Sequence, residues 1–355
     1  MKSAYILAGI RFLNLIKLIS KNKFTFRIKY ILRFLFLLQN AFWSSIFSIV
    51  ESIRFKKKLK SASLPDKHIF IVGHWRTGST FLHQLMNLDS ASITPSAFNV
   101  TVPECFMSSR IYYKPIMTPI IGKHRVMDNV KMGFDEPQED EFALFKMTNY
   151  SPLESLVFPK NDKYFLKNHD SYLPDSDKKR EQWIDALKLF CKKLYYKYNG
   201  KYIVLKNPFH SMRIKTLYEN FPNSYFIHIY RDPYLVVPST IRMWDIVGKQ
   251  NCMNNLWKKP STKEVTEELK RMLSEIKKDF KELPKTNYTE IKFEDLEKQP
   301  IIEIKNIYHK LDLEYTSEFE KNLTEFLEEI KDYKKNEYNL SQEDKEIINL
   351  HLKQS

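Results

Sequence analysis

A turn rich in small and basic residues holds the side chains best suited to chemistry. It follows an apolar run and reads Gly73-His74-Trp75-Arg76-Thr77-Gly78-Ser79-Thr80. A strand, such a turn and a helix start together form an anion site, because backbone N–H groups point outward and the helix dipole favours negative charge. The sequence therefore predicts a phosphate-binding loop. An ordinary strand–turn–helix crossover is the alternative interpretation.

The turn has the spacing of a nucleotide-binding P-loop but departs from it at one position. Gly73, Gly78 and Thr80 match the P-loop pattern, whereas Ser79 stands where the pattern has a lysine. Because that lysine contacts the β- and γ-phosphates, a nucleoside triphosphate fits this loop poorly. Arg76 supplies a cation within the loop instead. A donor with one 5′-phosphosulfate and no γ-phosphate suits this arrangement.

A second pair of phosphate-binding side chains lies much further along the chain. Arg231 follows the apolar run Tyr225–Tyr230, and Ser239 comes eight residues later at the start of a predicted helix. An arginine offers a bidentate contact and a serine offers a hydroxyl donor, so both can reach one phosphate. The alternative interpretation is a plain turn capped by Asp232.

Together these segments resemble the sulfotransferases that use 3′-phosphoadenosine-5′-phosphosulfate (PAPS). The turn matches the family's 5′-phosphosulfate loop, and its continuation through Phe81 is closest to the bacterial branch. Arg231 and Ser239 match its 3′-phosphate motif, and Tyr288–Leu296 matches a late strand end of the family. The resemblance covers Lys67–Leu313 and implies PAPS as donor and 3′-phosphoadenosine 5′-phosphate (PAP) as product.

The resemblance also implies which residues hold the donor. The 5′-phosphosulfate would be bound by Arg76, Thr77, Gly78, Ser79, Thr80 and Phe81, and the 3′-phosphate by Arg231 and Ser239. Lys206 ends the apolar run Tyr202–Leu205, where sulfotransferases place a lysine. Arg76 and Lys206 would then offset negative charge on the sulfuryl oxygens and the bridging oxygen. A surface cation is the alternative for Lys206.

The general base has candidates in two segments. Family members with a histidine base often carry it in a Lys-x-His order, whereas His210 follows Lys206 two residues later than that. An imidazole with an ordinary pKa of about 6.5 suits proton abstraction near neutral pH. A hydrogen-bonded structural histidine is the alternative.

The other candidates lie in the acid-rich segment Phe134–Leu144. Glu139 and Glu141 point in different directions if this segment is helical, so one of them would face a site. Other branches of the family use a glutamate base, and we prefer Glu139 or Glu141 to His210, with Glu104 as a further candidate. The alternative is a helix start whose acids complement the dipole. The reaction requires no metal.

Short apolar strands that alternate with helices predict an α/β fold with a P-loop-like central parallel sheet flanked by helices. The predicted strands are His68–Val72, Tyr202–Leu205 and Tyr225–Tyr230, and the predicted helices are Ser79–Leu88, Met212–Phe221 and Leu235–Asp245. We expect residues 61–355 to form the catalytic domain, with 93–199 as an acceptor-binding insertion. Residues 262–355 should be mostly charged helix.

The net charge of +14 is concentrated at one end of the chain. Residues 1–60 hold 13 Lys or Arg residues and one acid, Glu51, a net charge of +12. A basic surface for nucleic acid is therefore excluded. This pattern predicts a basic amphipathic helical extension lying on an anionic membrane surface. The alternatives are a helical layer packed on the domain and a membrane span through Phe34–Val50.

The composition points to the cell compartment and to the acceptor class. The three cysteines are widely spaced, which indicates a reducing, cytoplasmic compartment, with the basic extension at the inner face of the membrane. An insertion rich in aromatic and Met residues favours a small hydroxylated acceptor, a lipid or sterol-like alcohol. The alternatives are a carbohydrate or glycolipid acceptor, a P-loop kinase, and a non-catalytic membrane-associated protein.

Overall fold

The computed structural model describes residues 6–23, 27–117, 133–160, 164–166, 169, 171–221, 223–332 and 340–352. The chain forms two compact units. Unit 1 consists of Met1–Leu64, Pro95–Asn199 and Trp244–Lys259, and unit 2 consists of Pro65–Thr94, Gly200–Met243 and Pro260–Ser355. All the strands of the described sheet belong to unit 2, as the bounds below show.

Unit 2 is built on a five-stranded parallel sheet. Its strands are β1 (Lys67–Val72), β2 (Ser92–Ile93), β3 (Tyr202–Lys206), β4 (Ser224–Tyr230) and β5 (Tyr288–Lys292). They are ordered β2-β3-β1-β4-β5, and each neighbouring pair is parallel. The three predicted strands are therefore confirmed, as is the α/β fold with a central parallel sheet. The central strand, β1, leads directly into the predicted phosphate-binding turn Gly73–Thr80, which we call the phosphate loop.

Helices precede the sheet and alternate with its strands. They are α1 (Phe12–Lys21), α2 (Ile31–Ser61), α3 (Ser79–Met86), α4 (Ala97–Thr101), α5 (Arg110–Met117), α6 (Glu141–Thr148), α7 (Glu154–Val157), α8 (Asp177–Tyr198), α9 (Ile214–Asn220), α10 (Pro233–Asn251), α11 (Thr262–Glu282), α12 (Phe293–Lys298), α13 (Pro300–Lys310), α14 (Ser317–Glu329) and α15 (Gln342–Leu352). The helical N-terminal extension is thus confirmed.

The strands β1, β3 and β4 are buried on both faces of the sheet, which explains why they read as continuous apolar runs. In β1, Ile69 and Ile71 pack with Leu82 of α3 and with apolar residues of β4 and of the later helices. On the other face, Phe70 stacks on Phe226, with ring centroids 5.4 Å apart. A parallel sheet covered on both sides is the usual outcome of strand–helix–strand repeats.

The predicted helix Met212–Phe221 is wrong in its first turn. A 3-10 helix, Pro208–Met212, comes first, and α9 begins only at Ile214. The side chain of Asn207 accepts a hydrogen bond from the N–H of Phe209 at 3.0 Å, which caps a turn before the predicted start. Arg213, with φ −133°, then separates the two helices. Side-chain capping of a short turn is the physical reason for the shift.

The N-terminal extension, residues 1–60, is held in unit 1 by Glu51, the only acidic residue of the extension. Glu51, on α2, is buried and pairs with Lys193 of α8 at 2.6 Å. Its other carboxylate oxygen accepts from the N–H groups of Met107 and Ser108 at 2.8 and 3.0 Å. A buried carboxylate needs such partners to offset its lost hydration. Glu51 therefore holds α2 against the rest of unit 1.

Candidate active site

The phosphate loop connects β1 to α3 at the carboxyl edge of the sheet. Ligands of open α/β sheets bind at this edge. The N–H of Gly73 donates to Ser211 Oγ at 2.8 Å, and Thr77 Oγ1 donates to the carbonyl oxygen of His74 at 2.8 Å. These bonds shape the loop so that it enters α3 at Gly78. The N-terminus of α3 thereby becomes available to an anion.

Glycine is required at both ends of the loop. Gly73 has φ +140°, and a Cβ there would lie 2.3 Å from the carbonyl oxygen of Ile229. Gly78 has φ +93°, and a Cβ there would lie 2.0 Å from Cδ2 of Phe293. Both positions combine a left-handed backbone with a close approach that only glycine tolerates. The positions of Gly73 and Gly78 in the sequence are therefore explained by the close approach of β4 and of α12 to the loop.

Arg76 joins the two predicted phosphate-binding segments. Its backbone has φ +70°, an uncommon conformation for a residue with a side chain. Its Nε donates to Ser239 Oγ on α10 at 2.8 Å, and Ser239 is buried. The loop residue expected at the 5′-phosphosulfate and the serine expected at the 3′-phosphate are thus in direct contact. Backbone strain at such a loop is a common mark of a functional site.

A second cation reaches the loop from the end of β3. Lys206 is 3% exposed, and its Nζ lies 3.5 Å from Oγ1 of Thr80 in the first turn of α3. Burial, together with the charge of Lys206, lowers the pKa of the neighbouring His83 to about 3. His83 is therefore neutral over the physiological range, which avoids a second positive charge beside Lys206.

Arg231, at the end of β4, is held by an aromatic side chain. Its guanidinium carbon lies 4.4 Å from the ring centroid of Phe293, the first residue of α12, which is a cation–π contact. The same ring faces Gly78 and meets Phe81 edge-on at 6.5 Å. Phe293 therefore positions Arg231 beside the start of α3. The sequence pattern included Phe293 in a strand end but gave it no role, because a lone aromatic residue usually indicates core.

His210 lies in unit 2, inside the 3-10 helix that follows β3. It is completely buried, and its ring meets Phe70 edge-on at 5.6 Å. The backbone N–H of His210 donates to the carbonyl oxygen of Asn207 at 2.9 Å. The turn after Lys206 thus buries His210 against Phe70 of β1.

The acidic candidates lie in unit 1. Glu141 is fully buried at the start of α6 and accepts a hydrogen bond from Ser151 Oγ at 2.6 Å. Glu139, in the loop before α6, is half-buried. Glu104 pairs with Arg11 at 2.6 Å, and burial raises its pKa to about 7 despite that cation. The three carboxyl groups therefore differ in exposure and in hydrogen-bond partners.

In the described ranges, no three His, Cys, Asp or Glu side chains lie close enough together to hold a metal ion. The phosphate loop of unit 2 instead brings together the cations Arg76, Lys206 and Arg231 through their contacts with Ser239, Thr80 and Phe293.

Comparison with known proteins decides the family. Residues 68–317 match the model of the sulfotransferase family. The chain is 33% identical over 317 residues to the omega-hydroxy-beta-dihydromenaquinone-9 sulfotransferase Stf3 of Mycobacterium bovis, covering 87% of this chain and 79% of that protein. The protein of the same name from Mycobacterium tuberculosis matches equally well. This chain belongs to the sulfotransferase family. It is therefore an enzyme that transfers sulfate.

Solved structures show that this sulfotransferase has the fold of other family members. The sulfotransferase STF9 from Mycobacterium avium superposes with a TM-score of 0.69 at 14% identity, covering 100% of this chain and 92% of that one. STF1 from Mycobacterium tuberculosis superposes with a TM-score of 0.60 at 14% identity, covering 98% of this chain and 90% of that one. The predicted P-loop-like fold is confirmed.

Proposed function

We propose that this sulfotransferase takes the sulfuryl group of PAPS and places it on the hydroxyl of a lipid or sterol-like alcohol, releasing PAP. The observation that carries the proposal is the placement of three cations in unit 2. Arg76 and Arg231 come after β1 and β4, and Lys206 is the last residue of β3, so all three lie at the same edge of the sheet. A donor with two separate anionic groups fits three cations and a helix N-terminus.

The phosphate loop would hold the 5′-phosphosulfate. Backbone N–H groups of the turn and the hydroxyls of Ser79 and Thr80 supply donors, while the Thr77 hydroxyl holds the loop in shape through its bond to His74. Phe81 packs behind them on Phe293. Arg231 and Ser239 would hold the 3′-phosphate, which sets PAPS apart from other adenine nucleotides. The hydrogen bond from Arg76 to Ser239 supports this assignment, because it places both phosphate-binding segments within one hydrogen bond of each other.

Sulfuryl transfer moves one group and one proton. A bond forms between the acceptor oxygen and sulfur while the bond from sulfur to the bridging phosphate oxygen breaks, and PAP keeps that electron pair. Arg76 and Lys206 would stabilise charge on the sulfuryl oxygens and on the bridging oxygen, as cations do in phosphoryl transfer. The hydroxyl proton passes to a general base.

We propose Glu139 as that base. Its half-buried position before α6 leaves the carboxylate accessible, whereas Glu141 is enclosed and bonded to Ser151. His210 is enclosed too, with its ring against Phe70. A carboxylate within hydrogen-bond reach of the acceptor hydroxyl can take its proton as that oxygen attacks sulfur. Glu141 and His210 would then support the structure around the site.

The acceptor class is supported by a relative and by composition. The Mycobacterium bovis relative is named for sulfation of omega-hydroxy-beta-dihydromenaquinone-9, a hydroxylated lipid. Residues 93–199, the expected acceptor insertion, contribute buried Phe98, Phe106 and Tyr113 to unit 1. Residues Met127 and Met132, also expected there, lie outside the described residues. We therefore place a lipid alcohol ahead of a carbohydrate or glycolipid.

We further propose that the enzyme is cytoplasmic, that residues 61–355 form its catalytic domain, and that residues 1–60 contact the inner face of the membrane. Three free, buried cysteines support a reducing compartment. The helix Ile28–Ser61 is long and apolar enough to cross a membrane by length and composition, a test that core helices of soluble proteins also pass.

Turnover with radiolabelled PAPS and a panel of isoprenoid alcohols, sterols and sugars tests the proposal. We expect labelled product from the lipid alcohols. Glu139→Gln should lower kcat by about 10²-fold or more, whereas Glu136→Gln, in the same loop, should not. Product only from sugars would overturn the acceptor class. Normal turnover in Glu139→Gln with loss in His210→Gln would transfer the base role to His210.

A further inference from the structure

One face of α2 is apolar and exposed along most of the helix. Its exposed side chains recur at helical spacing on one side, and they are Leu32, Leu35, Phe42, Trp43, Ile46, Ile49, Val50 and Ile53. We call these eight residues the α2 apolar face. From Leu35 to Ile53 the face extends for about 27 Å at the rise of an α-helix. An exposed apolar surface of this length on unit 1 indicates an interaction site.

The opposite face of α2 is anchored in unit 1. Ser44 Oγ donates to the carbonyl oxygen of Gly9 at 2.6 Å, the hydroxyl of Tyr113 donates to Asn40, and Glu51 pairs with Lys193 at 2.6 Å. These contacts fix the rotation of the helix about its axis. The apolar face therefore points outward because the polar face is already bound.

Residues outside the extension enlarge the same surface. Ile111 and Tyr112, on α5, are 80% and 63% exposed, and the Tyr112 ring stacks on Phe47 of α2 at 6.0 Å. Tyrosine and tryptophan favour the boundary between water and hydrocarbon. The surface thus combines aliphatic side chains with Trp43 and Tyr112, which are the residue types expected at a membrane interface.

Charge identifies the partner. Exposed cations follow the apolar face along the helix, and they are Arg54, Lys56, Lys57, Lys58 and Lys60. The sole acid of residues 1–60, Glu51, is buried and paired, so the exposed charge there is positive. A second copy of this chain would bring two strongly cationic segments together, whereas an anionic bilayer neutralises them.

We propose that the α2 apolar face docks in the plane of an anionic lipid bilayer and does not span it. A span would place Glu51 and Lys193 in hydrocarbon or break their contacts, at high cost. Lying in the interface buries only the exposed side chains and leaves the polar face bound to unit 1. The inference rests on the proposed membrane contact of residues 1–60, but not on sulfuryl transfer.

Vesicle binding of the full chain, measured without donor or acceptor, tests this inference. Wild type should float with vesicles of phosphatidylcholine and phosphatidylglycerol, and at least about tenfold less with phosphatidylcholine alone. The triple variant Leu35→Glu, Ile49→Glu, Ile53→Glu should bind the mixed vesicles at least about tenfold more weakly. The control Ile302→Glu, Leu350→Glu carries two acids at exposed apolar sites of α13 and α15, away from α2, and should bind normally.

The remaining outcomes would overturn the inference. Binding that is equal in the triple variant and the control would exclude this face. A wild-type dimer that the triple variant makes monomeric, measured by light scattering, would assign the face to a second copy. Resistance of bound protein to an alkaline wash would indicate a span. Because no turnover is measured, a failed sulfotransferase assay leaves this result interpretable.

Discussion

Arg76 is the side chain that we propose contributes most to the chemistry. It lies in the phosphate loop with a strained backbone and holds Ser239 through Nε. We expect Arg76→Ala to lower kcat by about 10²–10³-fold, because it removes a cation from the charge that develops in transfer. The thermal midpoint should stay within a few degrees of wild type. Arg242→Ala, an exposed arginine on α10, is the control and should keep full activity. Near-normal turnover in Arg76→Ala would remove Arg76 from the mechanism.

Substitution of Arg231 tests the proposal that this residue binds the 3′-phosphate. Its guanidinium rests on the Phe293 ring, so the side chain is oriented before any ligand binds. Arg231→Ala should weaken binding of PAP by about tenfold or more, because a charged hydrogen-bonded contact is lost. Adenosine 5′-phosphosulfate, which lacks the 3′-phosphate, should bind about as before. Equal weakening of both ligands in calorimetric titration would contradict the assignment.

At the scale of elements, Gly78 controls how α3 meets α12. Gly78→Ala would place a Cβ 2.0 Å from Phe293 with a left-handed backbone, so we expect a loss of about 3 kcal/mol in the free energy of unfolding. Donor binding should fall with it. Gly133→Ala is the matched control, because its Cβ would meet only Glu136 Cγ at 3.6 Å. Equal denaturant midpoints for the two variants would refute the packing argument.

The turn before α5 carries a pH-dependent element of stability. Burial raises the pKa of Glu104 to about 7, with Arg11 acting in the opposite direction. Since the folded carboxyl holds its proton above the unfolded pKa of about 4.5, stability from this group is present at low pH and is lost as pH rises towards 7. The loss is on the order of a few kcal/mol.

Glu104→Gln should remove that dependence. The free energy of unfolding of wild type relative to Glu104→Gln should fall between about pH 4.5 and pH 7. Above about pH 7 this difference should be constant. Urea titrations at four pH values measure it. A difference that is the same at every pH would show that Glu104 titrates normally.

Elements were predictable where a local pattern decided them. The apolar runs of β1, β3 and β4 are buried on both faces, so their composition alone indicates strands. By contrast, β2 has two residues and exists because it pairs with β3. The break at Arg213 depends on capping by Asn207. Long-range pairing and side-chain caps leave no periodic signal in the sequence.

Site residues were likewise predictable where a local pattern marked them, and not where their role depends on long-range contacts. Gly73, Gly78 and Arg76 were recognisable because their types and spacing carry a mechanism. Phe293 was not, since its role comes from facing Gly78 and Arg231 across the end of the sheet. The anchoring role of Glu51 was equally hidden. A lone acid in a basic segment does not reveal that Lys193 will lie 2.6 Å away.

For the whole molecule, the central claim is that unit 2 binds PAP and PAPS rather than a nucleoside triphosphate. Calorimetric titration of the purified protein with PAP, in parallel with ATP and Mg²⁺, tests it most directly. We predict micromolar binding of PAP and little binding of ATP, because Ser79 replaces the P-loop lysine and because we propose that Arg231 binds the 3′-phosphate. Tight binding of ATP without binding of PAP would contradict the account.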